Sequence, residues 1–436
     1  MQTLALDQIT YSGISIDSRT VKPGDLFVAL KGVHFDGHDY VNAAKQKGAV
    51  AAIVSQAGSY ELPVIQVANT HQALIELAQA KRAQFNGPVI GITGSCGKTT
   101  TRALCEAIFR VCGQTLASEG SFNNDIGLPL TMLKLQADTQ YYVQELGANH
   151  AGEIAVLTRI LQPDVAVLIG AAPVHLEGFG DVPGVARAKA EIFQGLPSWG
   201  VAVINADDEY ADFWQDVALP HRIITFALNA KADVTAHSIM VLPTGQLRFR
   251  LVTPHGETEI TLQLVGEHNV MNALAATSAA IALDIPLAKI KLGLEAAAAV
   301  EKRLNIISGA HNIRIINDAY NANPQAVLAA LKTMQAFPGQ HVLVLGEMRE
   351  LGVAAANYHQ QVGQAAREMG ISALYCLGNL TQHCVQAFGK NGYLFEDKLS
   401  LIAALKRELQ PNTTILVKGS KSLKMWEVVE ELARSI

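Results

Sequence analysis

Short apolar runs alternate with segments of helical spacing along most of the chain. Between residues 89 and 205 the runs fall at 89–93, 141–146, 165–169 and 201–205. Continuous apolar runs separated by helices predict a parallel sheet covered on both faces. The same alternation returns after residue 303, with strands predicted at 313–316, 342–345, 374–377 and 414–417. Between the two blocks, residues 233–264 are more polar. Period-two stretches such as 246–252 predict antiparallel strands inserted beside the first sheet, followed by an Ala-rich helix at 269–282. Residues 1–86 have short β-like runs at 26–30, 50–54 and 64–67, turns such as Lys22-Pro23-Gly24-Asp25, and a helix over 70–85. Asn86, Gly87 and Pro88 then punctuate the chain. The pattern predicts an α/β protein of three domains, 1–86, 87–302 and 303–436, the last a second doubly wound, Rossmann-like unit.

Composition narrows the function classes. The 436 residues are 49% hydrophobic and 17% charged, which excludes disorder, collagen and coiled coil. A net charge of −5 is no footprint for a broad grip on nucleic acid. Five scattered cysteines without a CxxC pair fit a reducing compartment better than a disulfide scaffold or zinc site. The start, MQTLALDQITYSG, lacks the basic, long-apolar form of a signal peptide. No apolar run approaches the ~18 residues of a membrane helix. The expectation is a soluble, cytoplasmic protein.

The strongest chemical signal is TGSCGKTT at 93–100, directly after a predicted strand and opening a helix. Backbone N–H groups of Gly94, Ser95, Cys96 and Gly97, with the helix start at Thr99 and Thr100, form a cradle for phosphate oxygens. Lys98 is placed to reach the β- and γ-phosphates, and the Thr99 hydroxyl to hold Mg²⁺. The spacing is a variant, because Ile92 stands six positions before Lys98 where the strict pattern has Gly.

Glu145 and His175 lie at or just past the carboxyl ends of predicted strands, where ligands gather in open α/β sheets. Each alone also fits an ordinary surface acid or loop histidine; together, at matched strand ends, they are candidate metal ligands. In the helical stretch 185–193, Lys189 shares a face with Val185, Ile192 and Phe193, while Arg187 and Glu191 are spaced to pair on another. A lysine on an apolar face is partly neutral and can react with CO₂ to give a carbamate, a long carboxylate able to bind metal. The same pattern suits a lysine that snorkels to water. Asn269 is spaced to cap the helix after 266, or His268, Asn269 and Asn272 to face a purine. Arg303 could neutralise phosphate, and Asp318 bind ribose hydroxyls. Near the N-terminus, 17–19 and 31–38 place polar and basic groups in loops after short strands, a possible anion pocket.

Taken together, these motifs resemble the Mur ligases, ATP-dependent amide-forming enzymes of peptidoglycan precursor synthesis, over nearly the whole chain. SIDSRTVKPGDLFVALKG (15–32) and FDGH (35–38) are similar to that family's uridine-nucleotide-binding domain, with Ser18, Arg19, Lys31, Phe35, Asp36 and His38 implied in binding. TGSCGKTT is similar to the ATP loop of its P-loop ATPase-like central domain. EGSFNNDIGLPLTML (119–133) is similar to the segment along the muramoyl-peptide, implying roles for Asn123, Asn124 and Asp125. QELGANHAGEI and HLEGFG carry Glu145 and His175, and ARAKAEIF carries Lys189 at the carbamylated lysine. The resemblance implies two Mg²⁺ ions held by Thr99, Glu145, His175 and Lys189. GEHNVMNALAA (266–276) is similar to the adenine-side segment. NDAYNANP (317–324), LGEMRELG (345–352) and VKGSKSLKM (417–425) are typical of the last domain in the dipeptide-adding branch. There Tyr320, Asn321, Asn323, Lys418 and Ser420 are implied in substrate binding.

Diaminopimelate-adding relatives usually carry Asp-Asn-Pro-Arg, whereas residues 321–325 here read NANPQ, with no Arg. The implied substrates are therefore UDP-N-acetylmuramoyl-tripeptide and D-alanyl-D-alanine, joined by a monomeric enzyme through an acyl phosphate. Four positions depart from the family pattern: Cys96 in the loop, Lys302 where Gly is common, Gln325-Ala326 after NANP, and Trp426 where an acid is common.

Overall fold

The computed structural model describes residues 9–434, so the reading of the first eight residues lies outside the described residues. Three sheets follow one another along the chain. Strands β1 (Gly13–Ser15), β2 (Asp25–Val28), β3 (Ala51–Val54) and β4 (Val64–Gln66) form a parallel sheet in that order. Helix Thr70–Ala83 follows, and the Asn69 side chain starts it by accepting from the His71 and Gln72 amides. Leu74 of this helix packs with the core of the first sheet, while Ile75 and Ala78 join the core of the second. One helix thus serves both sheets.

The second sheet is built from β5 (Val89–Thr93), β6 (Thr115–Ala117), β7 (Tyr141–Glu145), β8 (Val165–Leu168), β9 (Val201–Asn205), β10 (Arg222–Ala227), β11 (Val234–Val241), β12 (Gln246–Thr253) and β13 (Gly256–Val265). Its order is β13-β12-β11-β10-β9-β8-β5-β7-β6. Strands β5 to β9 are buried almost throughout because helices cover both faces. The antiparallel strands expected at 233–264 are present, and they join the edge of this sheet. Strand β11 pairs in parallel with β10 through Phe226–Val234 and Ala227–Thr235, so the antiparallel hairpins extend the same sheet. Their alternating burial reflects a single covered face.

The third sheet contains β14 (Asn305–Ser308), β15 (Arg314–Asp318), β16 (Gln340–Gly346), β17 (Ala373–Leu377), β18 (Gly392–Phe395) and β19 (Thr413–Lys418). Its order is β14-β15-β19-β16-β17-β18, parallel except for β14 on β15. Reading from β18 to β15 gives 3-2-1-4 and then the strand that precedes them in sequence, a Rossmann-like arrangement. Among the described residues, no helix is long and apolar enough to cross a membrane, and all five cysteines are free thiols.

Candidate functional site

Strand β5 sits where the second sheet changes direction: the chain leaves it for β6 on one side and returns through β7 to β8 on the other. Such a switch point opens a crevice at the carboxyl ends of the strands. Into that crevice β5 delivers residues 94–97, and helix Lys98–Arg110 begins directly after. Gly97 has φ of 83°, and a Cβ there would lie 2.3 Å from the Asn272 Oδ1, so both conformation and space require glycine. The loop is pinned from the next strand: the Ser95 amide donates to the Gly170 carbonyl (2.9 Å), and the Ala172 amide donates to the Ser95 hydroxyl (2.9 Å). The Asp208 carboxylate in turn accepts from the Ala171 amide at 2.9 Å.

Lys98 folds back over its own loop, its amine donating to the Gly94 carbonyl at 2.6 Å. Burial holds its pKa below the ordinary lysine range. Glu145, ending β7, is 4% exposed and accepts from the Thr99 hydroxyl (2.9 Å) and the Asn123 amide group (2.8 Å). The Arg303 guanidinium lies 3.4 Å from the Thr99 hydroxyl and 4.2 Å over the Tyr320 ring. The structure therefore gathers Lys98, Thr99, Asn123, Glu145 and Arg303 at one place. Thr100 opens the helix beside them.

Lys189 lies on the buried face anticipated for it, at 1% exposure with Val185, Ile192 and Phe193. Among the described residues its amine makes no hydrogen bond or ion pair, resting 5.3 Å over the Phe179 ring. Burial, and next the charge of Lys98, lower its pKa to about 7. That fits a lysine free to take up CO₂ rather than one that snorkels to water. Phe179 also meets His175 edge-on at 6.5 Å. His175 meets the Glu350 carboxylate of the third-sheet unit through Nδ1, and its pKa falls because burial outweighs that carboxylate. Among the described residues no three His, Cys, Asp or Glu side chains converge on one point. A hydroxyl and a carboxylate at Thr99 and Glu145 are suitable oxygen donors for Mg²⁺. At Lys189 the donor set fits only if the amine is carbamylated.

The predicted Arg187–Glu191 pair does not form. Helix Val182–Ala190 ends before Glu191, whose carboxylate instead accepts from the Gly152 and Ala155 amides, while Arg187 approaches Asp181. Asn269 is not the cap of its helix either. The helix spans His268–Ala282 with Glu267 at the cap, and Asn269 points inward, donating to the Val265 carbonyl and accepting from Asn272. Asn269 and Arg303 line a cavity of about 270 Å³ with Thr244, Gln263 and Leu304. His268 stands at the helix start, and burial lowers its pKa to about 4.

In the third-sheet unit, Asp318 and Lys418 form a buried ion pair at 2.5 Å, and the same amine donates to the Asn321 carbonyl at 2.8 Å. Both partners are thus committed to each other, and Lys418 faces inward instead of into a cleft. The Asn323 side chain caps helix Pro324–Met334 and donates to the Cys96 thiol across the cleft. Ser420 accepts from the Arg349 amide. Asn124 starts helix Gly127–Met132, and Asp125 meets His71 (3.3 Å) from the first-sheet unit. Around the first sheet, Arg19 pairs with Asp17, His38 bridges Asp36 and the Ser55 amide, and the Asp36 carboxyl is held near 2. Ser18 lies in the same turn as Arg19, while Lys31 and Phe35 are exposed on the neighbouring loop. Two departures from the family pattern meet: the Lys302 amine rests 4.8 Å over the Trp426 ring.

Glu350 and Phe179 were not singled out by sequence reasoning. Both sit inside quoted motifs, LGEMRELG and HLEGFG, which is the signal that could have found them.

Comparison with known proteins agrees across the chain. Residues 10–86 match the model of the Mur ligase family catalytic domain, 92–280 that of the Mur ligase middle domain, and 302–421 that of the Mur ligase glutamate ligase domain. The UDP-N-acetylmuramoyl-tripeptide–D-alanyl-D-alanine ligase of Escherichia coli (strain K12) is 43% identical over 97% of this chain and 94% of its own length. The crystal structure of MurF from Acinetobacter baumannii superposes with a TM-score of 0.91 at 35% identity, covering 97% of this chain and 93% of that one. The MurF ligase of Thermotoga maritima in complex with ADP gives 0.86 at 25% identity, covering 97% of both.

Proposed function

This chain belongs to the Mur ligase family, and from that premise we propose that it joins D-alanyl-D-alanine to UDP-N-acetylmuramoyl-tripeptide, using ATP. The observation that carries the reading is the convergence of Lys98, Thr99, Glu145 and Arg303 at the switch point of the second sheet, in a chain aligned end to end with relatives named for that reaction.

A carboxylate does not react with an amine at neutral pH, because its leaving group is too poor. The backbone amides of 94–99 receive the phosphates, and Lys98 turns from the Gly94 carbonyl to the β/γ-oxygens. Arg303, stacked on Tyr320, neutralises further phosphate charge. Held in line, an oxygen of the peptide carboxylate bonds to the γ-phosphorus while the bridging oxygen leaves with ADP. The dipeptide amine then attacks the acyl phosphate, loses a proton, and the tetrahedral intermediate expels phosphate.

Thr99, Glu145, His175 and a carbamate on Lys189 are the groups that would hold two Mg²⁺ ions, which supply charge neutralisation between the two anions. The carbamate forms when the neutral Lys189 amine bonds to the carbon of CO₂ and releases a proton. The helix start bearing His268, Asn269 and Asn272 takes the adenine side. The exposed loops bearing Arg19, Lys31 and Phe35 take the uridine nucleotide. Domain limits of 1–86, 87–302 and 303–436 suit the three substrates, and the tie between His175 and Glu350 links the last domain to the reaction centre.

The test is phosphate release from ATP with UDP-N-acetylmuramoyl-tripeptide, with and without D-alanyl-D-alanine. Release that needs both, with a pentapeptide product by mass spectrometry, is expected. Turnover with a single amino acid, or with a folate and glutamate, would move the chain to another branch.

A further inference from the structure

An incoming dipeptide brings a free carboxylate as well as its amine, and a cation placed for it lets an enzyme tell the acid from neutral analogues. The stretch 321–325, NANPQ, holds no such cation. The cations around the cleft are mostly engaged. Lys98 is tied to the Gly94 carbonyl, Lys418 to Asp318 and Asn321, and Arg303 lies against Thr99 and Tyr320. Arg349 is held within the last domain, donating to the Ser422 hydroxyl of the turn after β19 at 3.1 Å and lying 3.4 Å from Glu347.

Lys421 differs from all of these. It lies three residues past the end of β19, is exposed, and has no carboxylate within ion-pair distance among the described residues. Its amine lies 5.4 Å over the Tyr320 ring and donates across the cleft to the Ser121 hydroxyl at 3.1 Å, in the segment 119–133 of the second-sheet unit. An uncommitted ammonium therefore bridges the peptide-side loop and the last domain, next to the ring on which Arg303 stacks.

We propose that Lys421 is the specificity-determining residue for the carboxylate of the incoming dipeptide, exchanging its bond to Ser121 for that anion. This rests on the ligase reading above. A charge-assisted hydrogen bond at such a position favours the acid over a neutral analogue by about 10- to 100-fold.

The experiment compares D-alanyl-D-alanine with its C-terminal amide as acceptors, for the wild type, Lys421→Met and Lys421→Arg. The wild type is expected to lose about 10- to 100-fold in kcat/KM with the amide. Lys421→Met should use acid and amide about equally, both at the low level, with KM for ATP unchanged, and Lys421→Arg should restore the preference. A wild type indifferent to the amide, or a Met variant that keeps the wild-type preference, overturns the proposal. A failure of the ligase reading looks different, since the wild type would then turn over neither form.

Discussion

The carboxyl ends of the second and third sheets face one cleft but are built differently. At the second, the chemical groups are buried and already bonded to each other: Glu145 holds Thr99 and Asn123, Ser95 is locked to 170–172, and Lys189 is sealed against Phe179. At the third, the buried groups Asp318 and Lys418 neutralise one another, and others reach across: the exposed Glu350 to His175 and Lys421 to Ser121, and the half-buried Asn323 to Cys96. Preformed geometry suits the phosphoryl chemistry, which depends on positioning. Exposed groups with replaceable partners suit a surface that must admit a third substrate and close on it.

If that contrast is sound, changes at the second sheet should damage the reaction itself. Glu145→Gln keeps much of the hydrogen bonding and removes the charge, and phosphate release is expected to fall by about 10³-fold. Near-normal turnover would remove Glu145 from the reaction centre. Lys189→Ala should cost about 10²-fold or more, with partial recovery on adding acetate or formate to stand in for the carbamate. Full activity without rescue would mark Lys189 as packing alone.

Gly97→Ala probes the preformed loop without touching a charged group. The left-handed backbone and the close Asn272 oxygen should cost about 1–3 kcal/mol of stability and raise KM for ATP. An unchanged melting temperature would mean the loop is softer than described. The smallest expected effect concerns pH. His268 has a pKa lowered from 6.5 to about 4 by burial, so protonation disfavours the folded state. Its contribution is complete above pH 6.5 and is lost as pH falls toward 4. Allowing for its partial exposure, that loss is about 1–2 kcal/mol. The His268→Gln variant should show a shallower decline in denaturation midpoint over that window.

Much of the second-sheet side was legible in sequence because local pattern dictates it. An apolar run ending in Glu145, a glycine turn opening a helix, and a lysine at the spacing of Val185 and Phe193 each express one element's periodicity. What could not be read depends on partners far away in the chain. Nothing near Lys418 says that Asp318, one hundred residues earlier, neutralises it, and nothing near Asn269 says that it turns inward to Val265 and Asn272. The Arg187–Glu191 spacing was right for a helix that stops too soon. Strand β10 escaped because Arg222–Ala227 begins exposed, and β18 because its Gly392–Phe395 pattern is that of a half-open edge.

The most direct test of the central claim follows an oxygen atom. With both oxygens of the tripeptide's reacting carboxylate labelled with ¹⁸O, attack on the γ-phosphorus transfers one of them. The released phosphate should carry one ¹⁸O, and the other should remain in the new amide. Unlabelled phosphate formed alongside the pentapeptide would contradict an acyl phosphate and the mechanism built on it.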